Sequence, residues 1–374
     1  MEGEAPPSSD GLRDGRHVRH VGLGTDAMPP QKIVRTICYF DVTPGTRAIE
    51  CLDDVARRLQ EHDYLVQTKR VCTSNMELKF YNRDFVGSDV FLGAGSLTLA
   101  SAQNQLEDFY QTNNLSFHID LTGNHIQAAH IELLFDIMQN KPDKTFNFAY
   151  VFQNSPSSPY FPAAHYHQQG FAIGLQPTDL SEGCDSLHAW LDRMRRVWHE
   201  INDLFKHDTA FLGIDASIAP FAEGHSSLIH LINRLGFSFP ASVTTDIYVT
   251  ISDYLRQHNP RPIGLCGIMF PCLEDFGLAS EYEKGRFSVE RNIYLSLHSG
   301  LGLDTYPIGM DEKPSTLLPI LRLLQGLSKK YGKPLSARFV SDGQACIGDR
   351  THFGNPYLKD VTLRPLLYGS HSAV

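Results

Sequence analysis

The sequence predicts an α/β protein with a large, mostly parallel sheet, either open or closed into a barrel. Three observations predict this fold. Short apolar runs recur along the chain, and about nine of them are clear. Helical patterns separate these runs, and no internal linker interrupts the alternation. Parallel strands that are covered on both faces read as continuous apolar runs, as these do.

The first half of the chain contains five predicted strands. Each is a short apolar run bounded by turn residues. They cover residues 33–40, 64–71, 89–92, 115–119 and 146–152. The helices between them are predicted from apolar residues at helical spacing. They cover residues 49–59, 99–111 and 124–139.

The second half continues the same alternation. Its predicted strands cover residues 171–175, 211–214, 263–270, 302–306 and 335–340. Its helices cover 184–206, 226–234, 242–257, 275–299 (as two helices) and 314–331. Pro314 suits a helix start, where its missing N–H costs nothing, and Gly332 is the predicted stop. The pattern favours a single domain over 32–374, with two lobes divided near 153–162 as the alternative.

Composition excludes several classes of protein. Residues 1–31 show no apolar periodicity and are expected to be disordered. The net charge of −9 argues against nucleic-acid binding, and no apolar stretch of about 18 residues predicts a membrane span. Seven cysteines without CxxC spacing, mostly inside apolar segments, predict reduced thiols in a cytoplasmic protein. The sequence leaves open whether the protein forms homo-oligomers.

Polar residues follow several predicted strands directly, where parallel α/β folds bind ligands. The carboxylates among them are Asp41, Asp215, Glu274, Asp275 and Asp304. Ser217 and Thr305 lie beside two of these. If all the strands run in the same sense, the five carboxylates converge on one rim.

Converging carboxylates repel one another unless something offsets their charge. A hard cation such as Mg²⁺ or Ca²⁺ would do so, with Asp215, Glu274 and Asp304 as its ligands. A shared proton or a basic partner is the alternative, and Arg338, His165 and His167 are the candidate partners. The competing interpretation is that these acids only cap the helices that follow.

Two further segments are candidates for ligand contacts. His165 and His167 are two residues apart, so they point the same way in an extended chain and suit a metal-binding pair or acid–base chemistry. Gly93, Gly95 and Ser96 follow a predicted strand and precede a helix, where backbone N–H groups can hold an anion. The dinucleotide and P-loop fingerprints are both missing from this sequence.

Three blocks of sequence carry a resemblance to a known family. Residues 213–220 match the pattern G-x-D-x-S-x-A-P, and residues 300–307 match G-x-G-L-D-x-x-P. Residues 264–275 match G-x-S-G-x-x-x-P-x-x-E-D, with Cys266 in place of the serine. With these blocks in this order, the chain resembles the domain of unknown function 711 family over about residues 33–360.

This family is similar to longer bacterial proteins described as pyruvate-formate-lyase-like. The resemblance implies a ten-stranded α/β barrel like that of glycyl radical enzymes. It does not imply their chemistry, which needs an R-V-x-G-aromatic segment. The nearest phrase here, residues 338–344, reads R-F-V-S-D-G-Q and departs from that pattern.

The sequence therefore predicts an enzyme acting on a small polar metabolite in a carboxylate-rich pocket, with a divalent cation as the expected cofactor. A non-catalytic metabolite or ion sensor on the same fold is the alternative, and a protein scaffold is a third. The candidate catalytic residues are Asp215, Glu274, Asp275, Asp304 and His165. The candidate ligand-binding residues are Asp41, Gly93, Gly95, Ser96, Ser217, Thr305 and Arg338.

Overall fold

The apolar runs form the strands of one mixed sheet. The structure is a computed structural model and describes residues 30–42, 45–73, 76–81 and 89–367. Residues 1–29 of the predicted disordered segment lie outside the described residues. The strands are β1 (Lys32–Phe40), β2 (Tyr64–Val66), β3 (Lys69–Cys72), β4 (Phe91–Leu97), β5 (Leu115–Asp120), β6 (Phe148–Phe152), β7 (Gly170–Leu175), β8 (Phe211–Asp215), β9 (Gly302–Pro307) and β10 (Leu335–Val340).

Helices fill most connections between the strands, as the spacing of apolar residues predicts. They are α1 (Thr46–Gln60), α2 (Leu99–Asn104), α3 (Leu106–Gln111), α4 (Ala128–Asn140), α5 (Leu187–Phe205), α6 (Leu228–Arg234), α7 (Phe239–Ser242), α8 (Ile247–His258), α9 (Phe276–Glu283), α10 (Val289–His298) and α11 (Pro314–Tyr331). Helix α11 begins at Pro314 and is followed by Gly332 at φ +58°, so both of its predicted ends are confirmed. No helix in the described ranges is long and apolar enough to span a bilayer.

The sheet has the order β8-β7-β1-β3-β4-β5-β6-β10-β9, with β2 paired to β1. Among the described strand pairs, only β1–β7 and β6–β10 are antiparallel; the others are parallel. The prediction of a mostly parallel sheet is confirmed. Strands β1 and β3 to β6 therefore run one way, and β7 to β10 run the opposite way. Strands from before and after the loop at 153–162 pair within this one sheet.

The segment 262–271 lies between β8 and β9, the two ends of the strand order. It makes single parallel bridges to both strands or to the residues beside them, through Pro262, Ile268 and Pro271. The predicted strand at 263–270 is wrong, because Gly264 (φ +71°) and Cys266 (φ +43°) are left-handed and interrupt a regular ladder. By bridging the two ends, this segment gives the sheet its barrel-like form.

Gly302 is the tightest point of the β9–β10 pairing. Its φ is +102°, and a Cβ atom there would lie 2.1 Å from the Ser336 carbonyl oxygen. We expect Gly302→Ala to lower the free energy of unfolding by about 2–4 kcal/mol, from backbone strain and the clash together. Gly326→Ala is the control, since Gly326 lies in α11 and a Cβ atom there would meet nothing within 4 Å. It should raise stability by about 0.5–1 kcal/mol. Urea unfolding followed by circular dichroism measures both; equal effects would contradict the prediction.

Candidate functional site

The interior of the barrel-like sheet holds a cavity of about 120 Å³. A single water needs only roughly 10–15 Å³, so this space accommodates a small organic molecule. Strands β1, β3, β4, β5, β6, β9 and β10 all contribute to its lining, together with residues 160–163 and the segment 262–271. Its charged lining residues are Arg35, Arg70, Glu274, Asp304 and Arg338.

Arg338 on β10 joins two of the predicted carboxylates. Its Nη2 lies 2.7 Å from Glu274 Oε2, and its Nε donates to Asp304 Oδ1 at 2.7 Å. Burial alone would lower the pKa of Arg338, but Asp304 and Glu274 raise it above its ordinary value. The basic partner that the sequence suggested is therefore present, and it offsets the repulsion between the two acids.

Arg35 approaches the same pair of acids from β1. Its Nη2 lies 3.7 Å from Glu274 Oε1, and its Nη1 donates to Gln67 Oε1 at 3.2 Å. The guanidinium lies 3.8 Å from the centre of the Phe221 ring. Burial lowers the pKa of Arg35, and Glu274 acts in the opposite direction. Glu274 thus lies between two arginines.

Arg70 on β3 lines the cavity and has no carboxylate partner among the residues that the structure describes. Its Nε donates to Thr68 Oγ1 and its Nη1 to the Pro159 carbonyl, both at 3.3 Å. The guanidinium lies 5.0 Å from the centre of the Phe161 ring. Burial, and then repulsion from Arg35, lower the pKa of Arg70 to about 10, so it stays charged at neutral pH.

Asp215 holds a turn rather than facing the cavity. Its buried carboxylate accepts hydrogen bonds from the backbone N–H groups of Ser217, Leu265 and Cys266 and from the hydroxyls of Ser158 and Ser217. The Ser217 hydroxyl also accepts from the Gly267 N–H at 3.2 Å. These bonds fix the left-handed turn at 264–266 against the end of β8.

Asp275 caps a helix, as the competing interpretation proposed. It is the N-cap of α9, and its carboxylate accepts from the N–H groups of Gly277 and Leu278. It also accepts from the Ser227 hydroxyl and the Leu228 N–H at the start of α6. Burial raises the pKa of Asp275 to about 6, against the lowering effect of these donors. Asp275 thereby ties two helices together.

Asp41 lies at the other end of the sheet from these carboxylates. It follows β1, which runs antiparallel to β7 and therefore to β8. Its carboxylate accepts from Gln169, which precedes the start of β7, at 3.2 Å. The expectation that all five carboxylates converge on one rim is wrong, because it assumed that all the strands run in the same sense.

The glycine-rich segment does not form the predicted turn. Gly93, Gly95 and Ser96 lie inside β4, at an irregularity in its pairing with β5. Gly93 leaves room for the Phe161 ring, whose Cζ would lie 2.8 Å from a Cβ atom at that position. The segment supports the cavity wall through Phe161 and is not itself part of the lining.

His165 and Thr305 also lie outside the cavity lining. The ring of His165 lies 6.1 Å from that of His118. Burial lowers the pKa of His165. The buried Nδ1 of His165 has no hydrogen-bond partner in the described part of the chain. Thr305, at φ +39°, accepts the Leu273 N–H at 3.4 Å. Their predicted roles in catalysis and ligand binding stay predictions.

The three acids proposed as metal ligands do not form one group. Glu274 and Asp304 contact Arg338, while Asp215 is bound by N–H and hydroxyl donors. Within the described ranges, no three His, Cys, Asp or Glu side chains are arranged to hold a metal ion. The charge balance of the cavity therefore comes from arginine.

Residues 100–354 match the family model described as "Uncharacterised ACR (DUF711)". The chain belongs to the DUF711 family. It is 26% identical over 152 residues to a UPF0210 protein of Thermoanaerobacter sp. (strain X514) and 22% identical over 152 residues to one of Syntrophotalea carbinolica. These matches cover 39% of this chain and only 33% and 34% of the two relatives. The proposed relation of the DUF711 family to glycyl radical enzymes stays a prediction.

Sequence reasoning missed Arg35 and Arg70. Both lie inside strands, in Ile33-Val34-Arg35-Thr36 and Lys69-Arg70-Val71-Cys72, whereas site residues were expected at strand ends. An arginine inside an apolar run was the available signal, because a buried charge needs a partner or a ligand.

Asp215→Asn tests the role of the carboxylate in the turn at 264–266. An amide nitrogen would face at least one N–H or hydroxyl donor, so we expect the free energy of unfolding to fall by about 3 kcal/mol. Asp120→Asn is the control, because Asp120 accepts the Thr122 N–H in a partly exposed turn that asparagine also suits. Its effect should stay within about 0.5 kcal/mol. Equal urea midpoints for the two variants would refute this role.

Asp275 should make stability depend on pH. Its pKa is about 6 in the folded protein, above its ordinary value of 3.8, so the folded state binds more protons between those values. Its contribution is fully present below about pH 4 and is lost as the pH rises to about 6, a change of roughly 3 kcal/mol at most. The unfolding free energy of the wild type, minus that of Asp275→Asn, should fall over this window. A difference that is constant from pH 4 to 7 would contradict the shift.

Proposed function

We propose that this protein binds a small polar metabolite in the central cavity and acts on it as an enzyme. One observation carries the proposal. Asp304 lines the cavity with one carboxylate oxygen held by Arg338, and its other oxygen, Oδ2, has no hydrogen-bond partner among the described residues. A carboxylate with a fixed orientation and one unengaged oxygen suits a general base.

The surrounding residues support this role. Arg338 holds Asp304 in one orientation through a charged hydrogen bond, and it is itself positioned by Glu274 and by the Phe146 carbonyl at 3.4 Å. The apolar side chains of Phe146, Met269 and Leu301 complete the wall and limit access of water. Arg338 and Arg35 together offset the charges of the two acids, so the proposal requires no divalent cation.

The test begins with a thermal-shift screen of neutral and charged metabolites on the full chain. Compounds that stabilise it are then incubated with the protein, and their conversion is followed by proton NMR. We expect Asp304→Asn to keep binding but to slow conversion at least about 100-fold, the usual contribution of a general base. Asp179→Asn is the control, because Asp179 also has one bonded and one unpartnered oxygen but lies outside the cavity.

Conversion by Asp304→Asn at the wild-type rate would remove Asp304 from the mechanism. Binding without any conversion by the wild type would favour the alternative, a metabolite sensor on the same fold. Two outcomes would reject the cavity as a ligand site: no compound stabilises the protein, or the stabilisation persists unchanged in a cavity-filling variant such as Ala149→Leu.

A further inference from the structure

The charges around the cavity do not balance. Within the described part of the chain, three arginines and two carboxylates line it, and both carboxylates contact Arg338. Arg35 reaches Glu274 only at 3.7 Å. Arg70 has no carboxylate within 4 Å in the described part of the chain. One positive charge is therefore left without a carboxylate partner among the described residues.

Arg70 is also short of hydrogen-bond acceptors. A guanidinium carries five N–H donors, and the described residues provide acceptors only for Nε and Nη1, each at a long 3.3 Å. Its Nη2 has no acceptor among these residues. A bound anion would supply acceptors for these donors.

The guanidinium of Arg70 is nevertheless held in place. The Phe161 ring lies against the guanidinium. On the other side, the ring packs so closely on Gly93 that position 93 has no space for a side chain. A planar guanidinium with fixed orientation binds the paired oxygens of a carboxylate or phosphate better than a flexible ammonium group does. The positive charge of Arg35 is near enough to repel that of Arg70, so both charges would attract an anion at this position.

We propose that the ligand of the cavity is a small anion whose carboxylate or phosphate oxygens bind Arg70, with Arg35 beside them. This inference rests on the proposed function, since it identifies the class of molecule that the same cavity takes. The anionic group lies at Arg70, and the remainder of the molecule extends towards Asp304 and the apolar wall. The volume of about 120 Å³ suits a small molecule.

Isothermal calorimetry on the full chain tests this with three probes: malonate, inorganic phosphate, and malonamide, the neutral analogue of malonate. We expect malonate or phosphate to bind at least tenfold more tightly than malonamide. The better of the two identifies the anionic group as carboxylate or phosphate. Arg70→Gln should weaken that binding by roughly 10- to 100-fold, as for other hydrogen bonds to charged groups.

Arg261→Gln is the matched control. Arg261 also lies against a phenylalanine, at 4.9 Å from the Phe211 ring, and donates to the Leu212 carbonyl, but it is outside the cavity. Its substitution should leave anion affinity unchanged. Wild-type affinity in Arg70→Gln, or equal loss in both variants, would overturn the proposal.

Circular dichroism establishes whether Arg70→Gln folds. If it does not, Arg70→Lys keeps the charge but not the fork of donors, and it should weaken anion binding about tenfold. Wild-type affinity in that variant would also overturn the proposal. If neither anion binds while a neutral metabolite from the screen does, this inference fails and the proposed function stands. If no compound binds in the cavity, both fail.

Discussion

The architecture depends on the attachment of the segment 262–271 to the end of β8. The Asp215 carboxylate makes this attachment by accepting the N–H groups of Leu265 and Cys266. Gly264 is required there, because a Cβ atom would lie 2.3 Å from Asp215 Oδ2. The segment then bridges to β9 through Pro271 and leads directly to Glu274. Asp215, a buried acid outside the cavity lining, thus sets the position of Glu274, which lines the cavity.

The charged side chains of the cavity also position one another. Glu274 reaches Arg338 on β10, and Arg338 reaches back to Asp304 on the neighbouring β9. The three side chains form a fixed unit, since each carboxylate is held by the same guanidinium. Arg35 and Arg70 add two further guanidinium groups to the described lining. A site that appears acidic in the sequence therefore has three arginines beside its two carboxylates.

Apolar periodicity predicted most strands and helices, including the limits of α11, because burial imposes that pattern locally. Strand direction is not a local property, and it decided where the acids lie. The reversal at β1–β7 removed Asp41 from the group, while Glu274 and Asp304 remained together. The bridging segment read as a strand because its residues are apolar, although its left-handed backbone prevents a regular ladder. The arginines inside strands were missed because they do not follow a strand end, where ligand-binding residues were expected.

The sequence blocks that resemble the DUF711 family serve two physical purposes. Asp215, Ser217 and Asp275 organise backbone, and Glu274 and Asp304 line the cavity, so a motif residue is not necessarily a site residue. The family match begins at residue 100 and includes these five positions. Arg35 and Arg70 precede it, although they face the same space. The matched region therefore includes the carboxylates of the cavity and Arg338, whereas Arg35 and Arg70 come from strands outside it.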